Sequence, residues 1–574
     1  MTRSRRAVLP LAAAVLAAAA LAPSARAQAG ELPRTHAPRP TTAPLSPADL
    51  MTRLYVLADD SMMGREAGTP GNVKGTDYIA AEFRRIGLEP AGEGGTFFQT
   101  VPLVTKGLEP GAALSVEGTA LTIRRDWVPV PTVPGAIPFG AAFSAQGAPV
   151  VFGGRIGGQM LAPEQARGKL VVLLPPLGQD GQPEGRFWRS SAMRYYPGAA
   201  GIAVVSLEAT PAGTLGYFMS TQMELSSPDP APAADGAPGM LVSAAAAARL
   251  LGVRPEGLAV GAAGRTVTGA YRFAARPSAA PARNVIGLLR GSDPAARGQY
   301  VVIGAHNDHE GMLAEAVDHD SVRAYNRVMR PQGANDDPGE PSNGQWARFE
   351  ALRDSLRRLH GGVRLDSVMN GADDDGSGTV NLLEIAEELA ARGTRPRRSI
   401  LFVSHTAEEK GLYGSQHFTD HPTVPLDSIV AALNMDMVGR GRAGEVANGG
   451  PWSIQMIGSR RLSTGLGDLI DALNAARPNP MRIDYSFDAA GHPLNRYCRS
   501  DHFMYARYGI PITYFSLGYH VDYHMASDEP QYIDYEHLAR VGAFVRDVAV
   551  AIADRPERLV VDGPRQDPNA PCRQ

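Results

Sequence analysis

Hydrophobic positions along this chain change their rhythm three times, and each change predicts a different kind of structure. From about residue 46 they recur at helical spacing. Val73, Ala80, Phe83 and Ile86 share one side of a helix predicted over 72–86, which Gly87 stops. Between about 105 and 280 short apolar runs at 150–152, 170–174 and 202–205 alternate with Gly and Pro, which predicts a small β-rich domain. From Asn284 onward apolar runs at 285–289, 300–305, 399–404, 428–433 and 511–516 alternate with polar loops and with an amphipathic stretch at 379–391. In that stretch Val380, Leu383, Ala386 and Ala390 face inward. Strands alternating with helices predict an α/β fold: a mixed, largely parallel sheet covered by helices on both faces.

The expected division is a signal segment at 1–27, a Pro-, Ala- and Thr-rich linker at 28–45, an α/β domain at 46–104 and 280–555, a β-rich insert at 105–279, and a tail at 556–574. A further insertion at 310–370 falls within the α/β domain. It carries Trp346, Phe349, Leu352, Leu356 and Leu359 at helical spacing, and this helix is expected to pack onto the catalytic domain. The insertion is expected to lie over the mouth of the site as a lid.

Length and composition narrow the class. A chain of 574 residues exceeds one compact core. With 44% hydrophobic and 20% charged residues and a net charge of −3, it has no basic run suited to nucleic acid or anionic membrane. Arg3, Arg5 and Arg6 precede an Ala/Leu-rich run that ends at Ala25-Arg26-Ala27, an export signal with cleavage after Ala27. Ser4-Arg5-Arg6 is also similar to a twin-arginine signal. The mature chain is therefore expected to be periplasmic or secreted, without stable membrane insertion. The two cysteines, Cys498 and Cys572, cannot build a thiolate cage, but in an exported protein they can pair and pin the tail beside Arg499-Ser500-Asp501.

The chemistry collects at the ends of the predicted strands. His306 lies in GAHNDHEG, Glu408 and Glu409 in SHTAEEKGLYGS, Asp436 in ALNMDMVG and His524 in GYHVDYHMASDE. Asp374, in GADDDGSG, opens the 379–391 helix. Open α/β sheets bind ligands at the carboxyl ends of their strands, so these segments converge on one edge. Imidazole and carboxylate without sulfur suit zinc, manganese or cobalt. If one Asp bridges two divalent ions, each ion also meets one His and one further carboxylate, and the cluster is close to neutral. Glu408 and Glu409 are adjacent, so one can ligate a metal while the other reaches an attacking water.

Together these motifs, with NVIGLL, RSDHFMYARYGIP and YHMASDE, resemble the di-zinc exopeptidases of metallopeptidase family twenty-eight over about 48–104 and 280–552. The resemblance implies two zinc ions, one on His306, Asp374 and Asp436 and the other on Asp374, Glu409 and His524. It implies Glu408 as general base, Asp308 as the carboxylate that orients His306, a peptide linkage after Asp374 that aims it at both metals, and Tyr523 as the group that polarises the scissile carbonyl. It also implies peptide substrates and an aminopeptidase activity. A carboxypeptidase or dipeptidase on the same site, and a non-catalytic binding module on the same fold, are the alternatives. The 140–270 stretch resembles a protease-associated domain.

One departure is the spacing. Asp374 lies 68 positions after His306, and the intervening GANDDPGE offers Asp336 and Asp337 as rivals for the bridging position. Asp374 is preferred because GSG and a helix follow it, whereas Pro338 would interrupt a helix after Asp337. His309, His405, His492, His502 and His520 are expected to be ordinary surface or core side chains, and Arg499 to serve a structural ion pair rather than a substrate contact.

Overall fold

A computed structural model describes residues 31–132, 137, 139–178, 181–184, 196–226, 236–336 and 339–574. The signal segment and Asp337 therefore lie outside the described residues. The described residues build two large sheets and one small one.

The first sheet has nine strands. Its order runs Glu89–Pro90, Ala282–Leu289, Ser399–His405, Tyr300–His306, Ile429–Met435, Ile512–Ser516, Ser453–Ile457 and Arg482–Asp484, and Phe98–Val101 also pairs with Ala282–Leu289. Its four central strands are parallel, from Ser399–His405 to Ile512–Ser516. Antiparallel pairs flank them on both sides. The fold is thus mixed α/β with a parallel centre. The central strands are buried along their whole length, apart from partial exposure at Tyr300, so their sequences read as continuous apolar runs.

Helix Pro70–Ile86 ends on Gly87, whose φ of 85° suits a residue without Cβ. Helix Gly378–Ala391 buries nearly every side chain, among them Val380, Leu382, Leu383, Ile385, Ala386 and Leu389. It lies under the sheet together with Pro47–Leu57 and the closing helix Tyr535–Asp554. This layer forms the buried floor under the carboxyl ends of the central strands.

The second sheet takes all ten of its strands from residues 103–277. The chain leaves the first sheet after Val101 and returns to it at Ala282. The stretch 31–45 has no helix or strand, yet it is tied down: Tyr55 Oη donates to Pro33 O, and Leu32 N donates to Gln531 O.

The insertion after His309 is a closed excursion. Strand Gly311–Asp318 pairs antiparallel with Leu365–Met369, and Gly311 lies opposite Met369. Helices His319–Met329 and Asn343–His360 fill the space between them. The ladder brings the two ends of the excursion together, so His306 and Asp374 meet despite their separation in sequence. Helix Asn343–His360 departs from expectation. It buries only Leu356, and Trp346 and Leu359 are 42% and 69% exposed. It packs on the neighbouring insertion helix through the Tyr325, Trp346 and Phe349 rings, not on the nine-stranded sheet.

Candidate metal centre

His306 is the last residue of its strand, and its backbone N–H donates to Asp375 Oδ2 at 3.0 Å. Its Nδ1 lies 3.1 Å from the backbone carbonyl of Asp308 and 3.7 Å from the Asp308 carboxylate. The group that orients the ring is therefore the main-chain carbonyl. The Asp308 carboxylate instead accepts from Glu408 N at 3.1 Å and so holds the Glu408 loop.

Asp374 sits where the chain turns into helix Gly378–Ala391, and the Asp374–Asp375 peptide is cis. Gly371 precedes it at φ 54°; a Cβ there would lie 2.3 Å from Asp374 O and 2.5 Å from His309 Cγ. The aspartates on either side of Asp374 are structural anchors. Asp375 Oδ1 accepts from Gly378 N and Met437 N, and Asp373 Oδ1 accepts from Gly439 N. Asp528, which sequence reasoning passed over, accepts from the N–H groups of Asp373 and Asp374. Asp336 caps a turn by accepting from Gln332 N and takes no part in the centre.

The five candidate ligands come together. Asp374 Oδ1 lies 3.1 Å from His306 Nε2, and the same nitrogen lies 3.9 Å from Asp436 Oδ1. Asp374 Oδ2 lies 3.1 Å from His524 Nε2, which lies 3.0 Å from Glu409 Oε2. One carboxylate thus offers one oxygen to each of two His-and-carboxylate groups. The Nε2 atoms of His306 and His524 make no hydrogen bond at these distances. Buried nitrogens that converge with carboxylates without bonding to them fit a cation held between them.

The electrostatics agree. Burial pushes the Asp374 carboxyl up, but the imidazoles of His306 and His524 outweigh it and hold it well below the usual range. Burial likewise opposes the charge on Glu409, and the two neighbouring His rings bring it down to about 2. Burial lowers His524, but Asp374 and Glu409 raise it to about 11. Burial lifts Asp436 to about 6. This pocket of carboxylates calls for positive charge.

Glu408 is buried beside Glu409, and burial, reinforced by Asp436, Glu409 and Asp501, pushes its carboxyl well above the usual range. No hydrogen bond from the described residues engages that carboxylate, whereas Glu409 is held from both sides. The Tyr523 ring stacks on His524 at 3.8 Å between centroids and on Tyr519 at 4.7 Å.

Two side chains depart from expectation, His309 and Arg499. His309 is fully buried and belongs to the centre: its Nδ1 lies 2.8 Å from Glu409 Oε1, and its ring meets His524 edge-on. His520 is a core side chain as expected, fully buried with Nε2 3.3 Å from Asp373 Oδ2. Arg499 has no carboxylate partner among the described residues. Its Nη2 lies 3.5 Å from Tyr523 Oη, and the guanidinium stands over Tyr519. The others occupy ordinary places: His405 bonds Tyr505, His502 stacks on Tyr514, and His492 caps Leu494 N. Ser500 was missed as well. Its hydroxyl donates to Asp436 Oδ2 at 2.7 Å and accepts from Asn434. A hydroxyl between two strands has no signature in a single sequence.

The chain is similar to several known proteins. Residues 284–549 match the family model described as Peptidase family M28. A mouse protein named aminopeptidase NAALADL1 is 47% identical over 81 residues, which are 13% of this chain and 11% of that protein. Leupeptin-inactivating enzyme 1 of Streptomyces exfoliatus is 38% identical over 84 residues, 14% of this chain and 19% of that enzyme. The matched stretches span between about a tenth and a fifth of these relatives' lengths. Among solved structures, an aminopeptidase from Aneurinibacillus sp. strain AM-1 aligns over 91% of this chain and 98% of its own, with 17% identity and a TM-score of 0.45. A zinc aminopeptidase from Bacillus subtilis aligns over 92% and 100%, with 16% identity and a TM-score of 0.41.

Proposed function

We propose that this chain, whose residues 284–549 match the peptidase family M28 model, is an exported exopeptidase carrying two zinc ions, and that it removes residues from the free amino ends of peptides. The observation that carries this reading is Asp374, whose two oxygens face two separate His-and-carboxylate groups. His306 and Asp436 would hold one zinc and His524 and Glu409 the other, with Asp374 between them. Bound there, zinc supplies Lewis acidity toward the scissile carbonyl and lowers the pKa of a water.

The remaining work belongs to the chain's own residues. Glu408 takes a proton from the attacking water and returns it to the leaving amine; its carboxyl, engaged by no hydrogen bond among the described residues, is open to both transfers. Tyr523 orients the scissile carbonyl through its phenol. Asp308, Asp373, Asp375 and Asp528 hold the ligand loops by their backbone N–H groups, so the donors need little rearrangement to bind metal. The insertion at 311–369 stands over the His524 side, where Ala334 N donates to Tyr519 O, and it restricts access to short or unfolded chains. The 103–277 sheet is read as a protease-associated-like insert. Export rests on residues 1–27. No helix among the described residues is long and apolar enough to cross a membrane.

Arg499 favours a second reading. A guanidinium without a carboxylate partner, next to Tyr523, fits the free carboxylate of a dipeptide or of a C-terminal residue. Zinc content measured with turnover of aminoacyl-nitroanilides and of amino-blocked peptides separates the two readings. Cleavage confined to free amino ends supports an aminopeptidase; cleavage confined to blocked peptides with free carboxylates supports the alternative.

A further inference from the structure

We propose that the edge strand Gln222–Leu225 docks an extended peptide by main-chain pairing beside the metal centre, an inference that rests on the reading of the chain as a peptidase. The strand is terminal in the ten-stranded sheet. It pairs antiparallel with Leu103–Leu108, and among the described residues nothing pairs with its other side. Met223 stands opposite Thr105 and Leu225 opposite Leu103.

The direction of its main-chain groups follows from one bond. Ser226 N donates to Pro102 O at 2.7 Å, which makes the next position along the ladder a hydrogen-bonded pair. Such pairs alternate in an antiparallel ladder. Glu224 and Gln222 therefore turn their N–H and C=O groups toward the partner strand, and Met223 and Leu225 turn theirs to the open edge. All four residues are partly exposed. The strand is also anchored: the Met223 and Leu225 side chains pack against a small cluster that includes Ala67 and Ala407.

The open edge borders a cavity that reaches Glu409 at the rim of the metal centre. A space of about 340 Å³ is walled by Thr105, Thr221, Gln222 and Met223 from the second sheet and by Glu66, Glu409 and Lys410 from the peptidase domain. Glu409 is a candidate metal ligand, so peptide leaving the centre on that side meets the Met223 main chain. Lys410 is already paired with Glu310 at 2.8 Å and Glu66 at 3.4 Å, which leaves main-chain groups as the principal open handles. An extended peptide is the partner whose geometry matches a row of unpaired N–H and C=O groups. Pairing of this kind is blind to side chains, and it would let an inserted domain contribute to binding across many peptide sequences.

The test is a set of pentapeptides with free amino ends, each N-methylated at one amide beyond the scissile bond and assayed on the full zinc-loaded chain. N-methylation at alternate amides is expected to raise KM by about three- to tenfold with kcat unchanged, as for loss of one main-chain hydrogen bond. Met223→Pro removes an outward N–H that an edge strand can spare. It should raise KM for the parent pentapeptide by a similar factor, leave aminoacyl-nitroanilide hydrolysis unchanged, and abolish the penalty of the sensitive N-methyl group. Uniform tolerance of N-methylation, or equal effects of Met223→Pro on both substrates, would overturn the proposal. If Met223→Pro fails to fold, the N-methyl series on the unaltered chain decides. If no peptide is hydrolysed, the peptidase reading fails separately, and calorimetric binding of the same series still tests the strand: an alternating loss of affinity supports docking and a flat series refutes it.

Discussion

The ligand loops and the outer helix of the insertion are held by opposite means. Around the centre, buried carboxylates accept backbone N–H groups: Asp375 binds His306, Gly378 and Met437, Asp373 binds Gly439, and Asp528 binds Asp373 and Asp374. Removing such an acceptor strands donors that water cannot reach. The outer helix Asn343–His360 instead buries one side chain and is moored by partly exposed ion pairs such as Arg357–Asp318. Pairs of that kind contribute little. The difference separates the candidate metal centre from the outer surface of the insertion, and substitutions should sort along that line.

The largest effect is expected at Asp374. On the proposed two-zinc reading, Asp374→Ala removes the one carboxylate shared by both halves, so bound zinc and all measurable turnover should be lost, as read by metal analysis and rates. Retention of a full metal complement would break the comparison at its centre.

Next come the adjacent glutamates. Glu408→Gln should keep the metal and lower kcat by about 10²- to 10⁴-fold, with a weaker effect on KM. Glu409→Gln should lose zinc as well as activity. If Glu408→Gln sheds metal and Glu409→Gln does not, the roles are exchanged.

The tail offers a covalent version of the same contrast. Cys498 and Cys572 form a disulfide with a Cα separation of 5.7 Å, and Tyr497 N donates to Gln574 Oε1. Closing a loop of this length corresponds to roughly 4 kcal/mol in the chain-entropy view. Cys572→Ser should lower stability toward denaturant by that order. Because Ser500 supports Asp436 only two residues beyond Cys498, a small loss of zinc affinity should accompany it.

The seam between the insertion and the α/β domain should respond to pH. Burial pushes Glu529 up to about 8, with Asp366 and Asp60 adding to it and Asn370 opposing. A carboxyl raised on folding stabilises the fold fully below its unfolded pKa, near 4.3. That contribution is lost as pH rises through the folded value. Stability should therefore decline between about pH 4.5 and 8 by a few kcal/mol at most, and Glu529→Gln should flatten the decline in melts recorded across that range.

The smallest effect is expected on the outer helix. Arg357→Ala should cost about 0–1 kcal/mol and leave zinc content unchanged. A loss of metal there would show that the insertion shapes the centre itself.

Strand-and-helix alternation, the five candidate ligands and the α/β class were all legible because each depends on local pattern: continuous apolar runs for buried parallel strands, and polar residues placed where those runs end. The sequence also pointed to Asp374 over Asp336 through the GSG and helix that follow it. Other features were not legible because they arise only when distant segments meet. His309 looks like any loop histidine until folding sets it against Glu409, 100 residues away. Asp528 and Ser500 act on backbone and carboxylate groups from other loops, and no periodicity marks such partners. Arg499 lacks an ion pair because no acidic side chain among the described residues was brought near it. The insertion's outer helix carries an apolar stripe that reads as a core-facing surface, yet the antiparallel ladder from Gly311 to Met369 closes beneath it and gives it only another insertion helix to cover. Periodicity states that a face needs a partner, and only the tertiary arrangement of the chain decides which partner is within reach.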